Sequence, residues 1–133
     1  MVYPTICPAI IVAITCGDSI LLAKSARGNF RRFALIAGYV EIGETLEHAL
    51  RREVMEETGL TLTSIRYLGD QPWGISGSHM FAFHAEADKD QPLHIQQTEL
   101  SEVRWFRRDE LAPCDNTISI AFDMIERFRL GTL

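Results

Sequence analysis

The chain is poor in cysteine and has no long apolar run. Its 133 residues include three cysteines, Cys7, Cys16 and Cys114. Three widely spaced thiols suit neither a disulfide framework nor a zinc ribbon, so we expect buried free thiols in a reducing cytoplasm and no bound zinc. No apolar stretch approaches the roughly 18 residues that span a bilayer, and the N-terminus has no basic region of a signal peptide. These absences predict a cytoplasmic protein with no membrane partner.

An excess of positive charge is also missing. Thirteen Lys and Arg residues face eighteen Asp and Glu residues, and the formal net charge is −5. Duplex nucleic-acid binders that rely on bulk electrostatics are usually basic, so the charge argues against that class. The length fits one domain, residues 1–133, and the 47% hydrophobic content is ordinary for a globular protein.

Hydrophobic periodicity predicts a mixture of strands and helices. Residues 9–15 and 19–24 read as a hairpin, and residues 45–57 read as an amphipathic helix that Thr45 begins and Gly59 ends. A closing helix is expected over 117–130, with Asn116 or Asp115 as its cap. The other predicted elements are strands at 32–38, 61–69, 79–87 and 99–106, and a loop at 71–78. This order favours an α/β fold, a mixed sheet covered by helices.

Three carboxylates are crowded into the sequence REVMEE at residues 52–57. On a helix, Glu53, Glu56 and Glu57 are spaced i, i+3 and i+4 and share one face, where each like-charge pair costs roughly 0.2–0.5 kcal/mol. Arg52 can reach Glu56 but cannot neutralise all three. One interpretation is a solvated acidic face. The other is a site for a hard cation such as Mg²⁺, Mn²⁺ or Ca²⁺, which carboxylate oxygens suit.

The surrounding stretch, GYVEIGETLEHALRREVMEETGL at residues 38–60, resembles the Nudix box. The matching positions are Gly38, Glu44, Arg52, Glu53, Val54, Glu56, Glu57, Gly59 and Leu60. The resemblance implies an α/β/α sandwich around a mixed β-sheet, with the box as a loop–helix–loop. It also implies cleavage of a nucleoside diphosphate linked to another group, with Mg²⁺ or Mn²⁺ as cofactor.

The resemblance further implies roles for individual residues. Arg52 would orient the carboxylates, Glu44 would brace the loop against the helix, and Gly38 would permit close backbone approach. The implied metal ligands are the carbonyl of Ala37 and the side chains of Glu53, Glu56, Glu57 and Glu99. An exposed strand residue is the alternative interpretation for Glu99.

The stretch after the box is similar to the NADH pyrophosphatase branch of the Nudix family. Its hallmark, Ser-Gln-Pro-Trp-Pro-Phe-Pro-x-Ser, is matched at Gln71, Pro72, Trp73 and Ser78, whereas Asp70 and residues 74–77 depart from it. The residues that the resemblance assigns to substrate binding are Tyr3, Tyr39, Gln71, Pro72, Trp73, Ser78 and Ser119. Tyr3 would reach the adenine across a homodimer. A core position is the alternative for Trp73 and Tyr39, and a frayed terminus for Tyr3.

The expected function is hydrolysis of NADH or NAD⁺ to nicotinamide mononucleotide plus AMP. One alternative is a Nudix hydrolase of ADP-ribose or nucleoside triphosphates. Another is a module that senses nucleotides without turnover, which the intact set of carboxylates disfavours. NAD-capped RNA contains the same diphosphate, but no motif indicates it.

Overall fold

The computed structural model describes residues 7–25, 33–73, 77–94, 100–113 and 119–133. The described residues form seven strands, two α-helices and one 3-10 turn. In chain order these are β1 Cys7–Cys16, β2 Ser19–Ser25, β3 Phe33–Ala34, β4 Ile36–Tyr39, α1 Leu46–Thr58, β5 Leu62–Trp73, β6 Ser78–Ala87, β7 Leu100–Arg107, the turn Arg108–Glu110 and α2 Ile120–Arg129.

All seven strands belong to one mixed sheet. The main path runs β3-β2-β1-β6-β5, with β4 beside β1 and β7 beside β2. β1 and β6 are parallel, and the other pairs are antiparallel. A mixed sheet agrees with the prediction.

The side chains of β1 point alternately to the two faces of the sheet, and each face has its own layer of the core. Residues 10, 12 and 14 pack on one face of the sheet with Leu50 and Val54 of α1. Residues 11 and 13 pack on the other face with Met124 and Phe128 of α2. Because successive side chains of a strand point to opposite faces, both faces of the central strand are buried. The predicted α/β/α sandwich is confirmed.

The single strand predicted at 32–38 is wrong. β3 pairs with β2, whereas β4 pairs with β1, and the buried Leu35 lies between them. β1 and β2 are paired only next to their turn, through Thr15–Ile20 and Cys16–Ser19. The two strands therefore diverge, and the chain changes partner to fill the gap beside β1.

The loop predicted at 71–78 is also too long. Gln71, Pro72 and Trp73 continue β5, and Ser78 begins β6, with Trp73 paired to Ser78. Pro72 is tolerated there because β5 lies at the end of the strand order, and proline occurs in edge strands.

Helix α1 agrees with the sequence, but α2 begins later than predicted. Thr45 caps α1 and Gly59 ends it. The cap of α2 is Ser119, while Asp115 and Asn116 lie outside the described residues. None of the described helices has the length and apolar content needed to cross a membrane.

The expectation of buried thiols is wrong for two of the three cysteines. Cys7 and Cys16 are free, but Cys7 is exposed at the start of β1 and Cys16 is half-buried at its end. Strand termini are less covered than strand centres, which explains the difference. Cys114 lies outside the described residues.

Candidate active site

Helix α1 carries the three clustered carboxylates. The Thr45 hydroxyl accepts a hydrogen bond from the backbone N–H of His48 at 3.1 Å, which satisfies a free donor of the first turn. The three carboxylates differ in environment: the Glu53 side chain is 14% exposed, that of Glu56 is 51% exposed, and Glu57 is buried. The cluster is therefore not a uniformly solvated face.

Arg52 is the centre of a network that joins the loop, the helix and strand β4. Its Nε and Nη2 donate to the two oxygens of Glu44 at 2.7 and 3.0 Å. Its Nη1 donates to Glu53 at 3.0 Å and to Glu56 at 3.2 Å. Nη2 also donates to the backbone carbonyl of Tyr39 at 3.1 Å. A planar guanidinium with five donors can make all these bonds at once, which lysine could not.

Glu44 is held ionised inside this network. Its side chain is only 6% exposed. The hydrogen bond from Arg52, with a second from the backbone N–H of Glu41 at 3.0 Å, lowers the pKa of Glu44 from 4.5 to about 2. Nδ1 of His48 lies 2.7 Å from Oε2 of Glu44, the oxygen that also accepts from Nε of Arg52. The same pairing raises the pKa of Arg52, so the ion pair persists across the physiological range.

Gly38 provides the space that Glu53 occupies. A Cβ built on Gly38 would lie 2.2 Å from Cδ of Glu53 and 2.6 Å from its Cγ and Oε1. Gly38 pairs with Ile10 in the sheet and so faces α1. The missing side chain lets the carboxylate of Glu53 lie directly against the backbone of β4.

The donor atoms of this cluster are carboxylate oxygens, the type of ligand that a hard divalent cation prefers. Two carboxylates, Glu53 and Glu56, already share one cationic nitrogen of Arg52. In the described parts of the chain, no three His, Cys, Asp or Glu side chains are gathered closely enough to hold a metal ion. Among the predicted ligands, Ala37 is exposed in β4, and Glu99 lies outside the described residues.

Two of the predicted substrate-binding residues meet at the start of β1. Tyr39 pairs with Ala9 on one side of β1, and Ser78 pairs with Cys7 on the other. The Tyr39 hydroxyl lies 3.4 Å from the buried Ser78 Oγ, while Tyr39 as a whole is 58% exposed. Because Tyr39 follows Gly38 in the same strand and Gly38 faces α1, the Tyr39 side chain lies on the opposite face of the sheet, which α2 covers.

Gln71 and Ser119 both contact the first turn of α2. The side-chain oxygen of Gln71 accepts from the N–H of Ile120 at 2.9 Å, and the Ser119 hydroxyl accepts from the N–H of Ala121 at 3.3 Å. Both therefore have a structural function as caps. Pro72 is exposed in β5 and only the backbone of Trp73 is described; Tyr3 lies outside the described residues.

The sequence did not reveal a polar cluster around Asp70. The Asp70 carboxylate contacts His79 Nε2 and accepts from the Tyr67 hydroxyl at 3.3 Å, and contact with His79 lowers the pKa of Asp70. The His79 ring stacks on Phe81 with 4.8 Å between centroids. In the sequence, Asp70 is only a departure from the Ser-Gln-Pro-Trp hallmark. Its contact with His79 depends on the register between β5 and β6, which the sequence does not indicate.

A comparison with known families identifies the family of this fold. The family model for the NUDIX domain matches residues 6–128. The chain therefore belongs to the NUDIX domain family, as the resemblance to the Nudix box predicted.

Two curated relatives of the chain have the same name. The chain is 45% identical over 129 residues to a Vibrio vulnificus (strain CMCP6) protein named NAD-capped RNA hydrolase NudC, covering 97% of this chain and 49% of that protein. It is also 45% identical over 125 residues to a protein of the same name from Vibrio cholerae, covering 94% and 46%. The chain spans about half the length of these relatives.

Solved structures share the fold. A NUDIX hydrolase from Nitrosomonas europaea superposes with a TM-score of 0.82 at 24% identity, over 97% of this chain and 73% of that one. A MutT NUDIX hydrolase from Burkholderia pseudomallei superposes with a TM-score of 0.69 at 23% identity, over 97% and 98%.

Proposed function

We propose that this chain is a metal-dependent Nudix pyrophosphohydrolase that cleaves the diphosphate of a nicotinamide–adenine dinucleotide. The observation that carries the proposal is the Arg52 network, which holds Glu53 and Glu56 together beside Gly38. The name of the Vibrio relatives, NAD-capped RNA hydrolase, supports the choice of substrate.

The reaction adds one water across a P–O bond of the diphosphate bridge, and one proton of the water passes to the departing phosphate or to solvent. The water oxygen bonds to one phosphorus, the bond from that phosphorus to the bridging oxygen breaks, and the second phosphate leaves with that oxygen. The products are AMP and a nicotinamide mononucleotide, which is oxidised when the substrate is NAD⁺ and reduced when it is NADH. Negative charge on the diphosphate repels an incoming nucleophile, so the site must supply positive charge and assist removal of a proton.

A divalent cation, Mg²⁺ or Mn²⁺, supplies that charge when bound and lowers the pKa of water. The residues that would hold it are Glu53, Glu56 and Glu57 on α1, with the Ala37 carbonyl and Glu99 as further ligands. All five donors are hard oxygens, which suit these ions better than zinc.

The chain's own residues orient these ligands. Arg52 donates to Glu53 and Glu56 and so fixes the direction of both carboxylates. Glu44 fixes Arg52 in turn through two parallel hydrogen bonds. Bidentate Arg–carboxylate pairs add geometric specificity as well as energy.

Base recognition is assigned to the exposed ring of Tyr39 and its neighbour Ser78. Stacking on an aromatic ring accepts adenine or nicotinamide, since every such ring has a π-face. The other residues proposed to contact the substrate are Gln71, Pro72, Trp73 and Ser119, and Tyr3 would contribute from the partner subunit of a homodimer. The free thiols suit a reducing cytoplasm.

A substrate panel tests the proposal. NADH, NAD⁺, ADP-ribose, a nucleoside triphosphate and a short NAD-capped RNA are incubated at fixed Mg²⁺ or Mn²⁺, and products are separated by chromatography. We expect mononucleotide plus AMP from NADH and NAD⁺, and release of nicotinamide mononucleotide from the capped RNA. Hydrolysis of triphosphates alone would contradict the dinucleotide assignment, and binding without turnover would favour the sensor.

Sedimentation tests the shared site. A homodimer at micromolar concentration is expected, and a Tyr3→Ala variant should raise KM without dissociating it. A strictly monomeric active protein would contradict the contribution of Tyr3 from a partner subunit.

A further inference from the structure

The final turn of α1 contains Glu57, and a helix end of this kind needs support. The last carbonyls of a helix have no partner within the helix, and helix ends fray. The last turn of α1 also lacks a basic residue that would complement its dipole. In α1 the carbonyl of Met55 accepts from the N–H of Gly59 at 2.9 Å, and the carbonyl of Thr58 lies one residue before that cap. Contacts to this end of the helix help to fix the direction of the buried Glu57 side chain.

Residues 91–94, here called the clasp segment, contact the last residue of α1 and the chain that follows it. The backbone N–H of His94 donates to the carbonyl of Thr58 at 2.8 Å. The backbone N–H of Thr61 donates to the side-chain oxygen of Gln91 at 3.0 Å, and the Gln91 side-chain nitrogen donates to the Thr61 carbonyl at 3.1 Å. The side-chain amide of Gln91 thus accepts from and donates to the backbone of Thr61, as a paired residue of a neighbouring strand would.

The side chain of His94 reinforces the attachment by packing on Gly59. A Cβ built on Gly59 would lie 3.1 Å from both Cβ and Cδ2 of His94. Gly59 also has φ +76°, a conformation that other residues rarely adopt. Leu93, next to His94, packs against the core on the side of α1. The clasp segment therefore contacts the chain on both sides of Gly59, at Thr58 and at Thr61.

We infer that Gln91 and His94 are positioning residues for Glu57, acting through the final turn of α1. The inference rests on the proposed metal-binding function of Glu57. Ligands of a metal site must be held to within about 0.5 Å, and supporting groups set that precision. The clasp segment supplies such support from a part of the chain more than thirty residues away in sequence.

Binding of Mn²⁺ alone, followed by electron paramagnetic resonance of the free ion, tests the inference. Gln91→Ala should weaken Mn²⁺ binding about 10-fold, the effect usual for a supporting residue. It should lower kcat for NADH with little change in KM, and it should speed amide exchange at Gly59 and Thr61. Gln91→Glu keeps the hydrogen bond from the N–H of Thr61, so its Mn²⁺ affinity should lie between those of wild type and Gln91→Ala. Lys89→Ala, an exposed change in the approach to the clasp segment, is the matched control.

A double-mutant cycle separates positioning from general stability. In the Glu57→Gln background, Gln91→Ala should weaken the remaining Mn²⁺ binding no further, because coupled residues are not additive. Wild-type Mn²⁺ affinity in both Gln91→Ala and His94→Ala, or an additive loss, would overturn the inference while leaving the proposed function intact. A wild-type protein that neither binds Mn²⁺ nor cleaves the dinucleotide would overturn both.

Discussion

Gly38→Ala is the most direct test of how the fold holds Glu53. The new Cβ would lie 2.2 Å from Cδ of Glu53, whereas ordinary contacts begin at 3.4 Å. The carboxylate must therefore withdraw by about 1 Å or more, because the backbone of β4 is fixed by its pairing with β1. A displacement of about 1 Å in a catalytic group costs on the order of 10²-fold in rate. That loss corresponds to about 2.7 kcal/mol of transition-state stabilisation.

The cost to folding should be smaller. Overpacking costs typically about 1–3 kcal/mol, and we expect the low end because the clash is with the end of a flexible side chain. Gly17→Ala is the matched control. Gly17 has φ +58° and no atom within 4 Å of a built Cβ, so alanine there costs about 1 kcal/mol of backbone strain without touching the site.

The assay compares turnover of NADH with thermal unfolding for the two variants. Both should lose a similar amount of stability, but only Gly38→Ala should lose about two orders of magnitude in kcat and bind Mn²⁺ more weakly. Wild-type turnover in Gly38→Ala, or an equal loss in Gly17→Ala, would refute the reasoning that Gly38 makes room for a working carboxylate.

Three further predictions concern the carboxylates and the binding of the adenine or nicotinamide ring. Glu57→Gln should keep the metal-free fold and lower kcat by several orders of magnitude, whereas Glu47→Gln, on the first turn of the same helix, should change little; equal effects in a kinetic comparison would argue for a solvated face. The pKa of Glu44 is lowered to about 2, so its pairing with Arg52 stabilises the fold fully above pH 4.5 and is lost as the pH falls through 2. Acid unfolding curves of Glu44→Gln should accordingly converge with wild type over that window, and a constant gap would contradict the pairing. Tyr39→Ala should raise KM about 10-fold with kcat retained, from the ~1–3 kcal/mol of base–aromatic stacking, and Tyr39→Phe should not; a fall in kcat alone would exclude stacking.

Local signals in the sequence predicted helix α1 and most of the strands. The signals for α1 are local in the sequence: the cap at Thr45, the apolar spacing of Leu50 and Val54, and the end at Gly59. Each acts over one or two turns, so the sequence alone indicates it. The strand predictions were wrong where pairing with another strand decides the bounds of a strand. Leu35 interrupts an apolar run that looks continuous, because β3 pairs with β2 and β4 with β1.

The sequence by itself determined the family, the helix of the Nudix box and the carboxylates that it carries, because spacing along one helix is a local property. Tertiary structure alone decided the contact of Gly38 with Glu53, the pairing of Asp70 with His79, and the grip of Gln91 on Thr61. The first two pairs join residues of different elements, and the third joins the segment after β6 to the residue before β5. Strand register and helix docking are set by packing of the whole core, which no short stretch of sequence encodes.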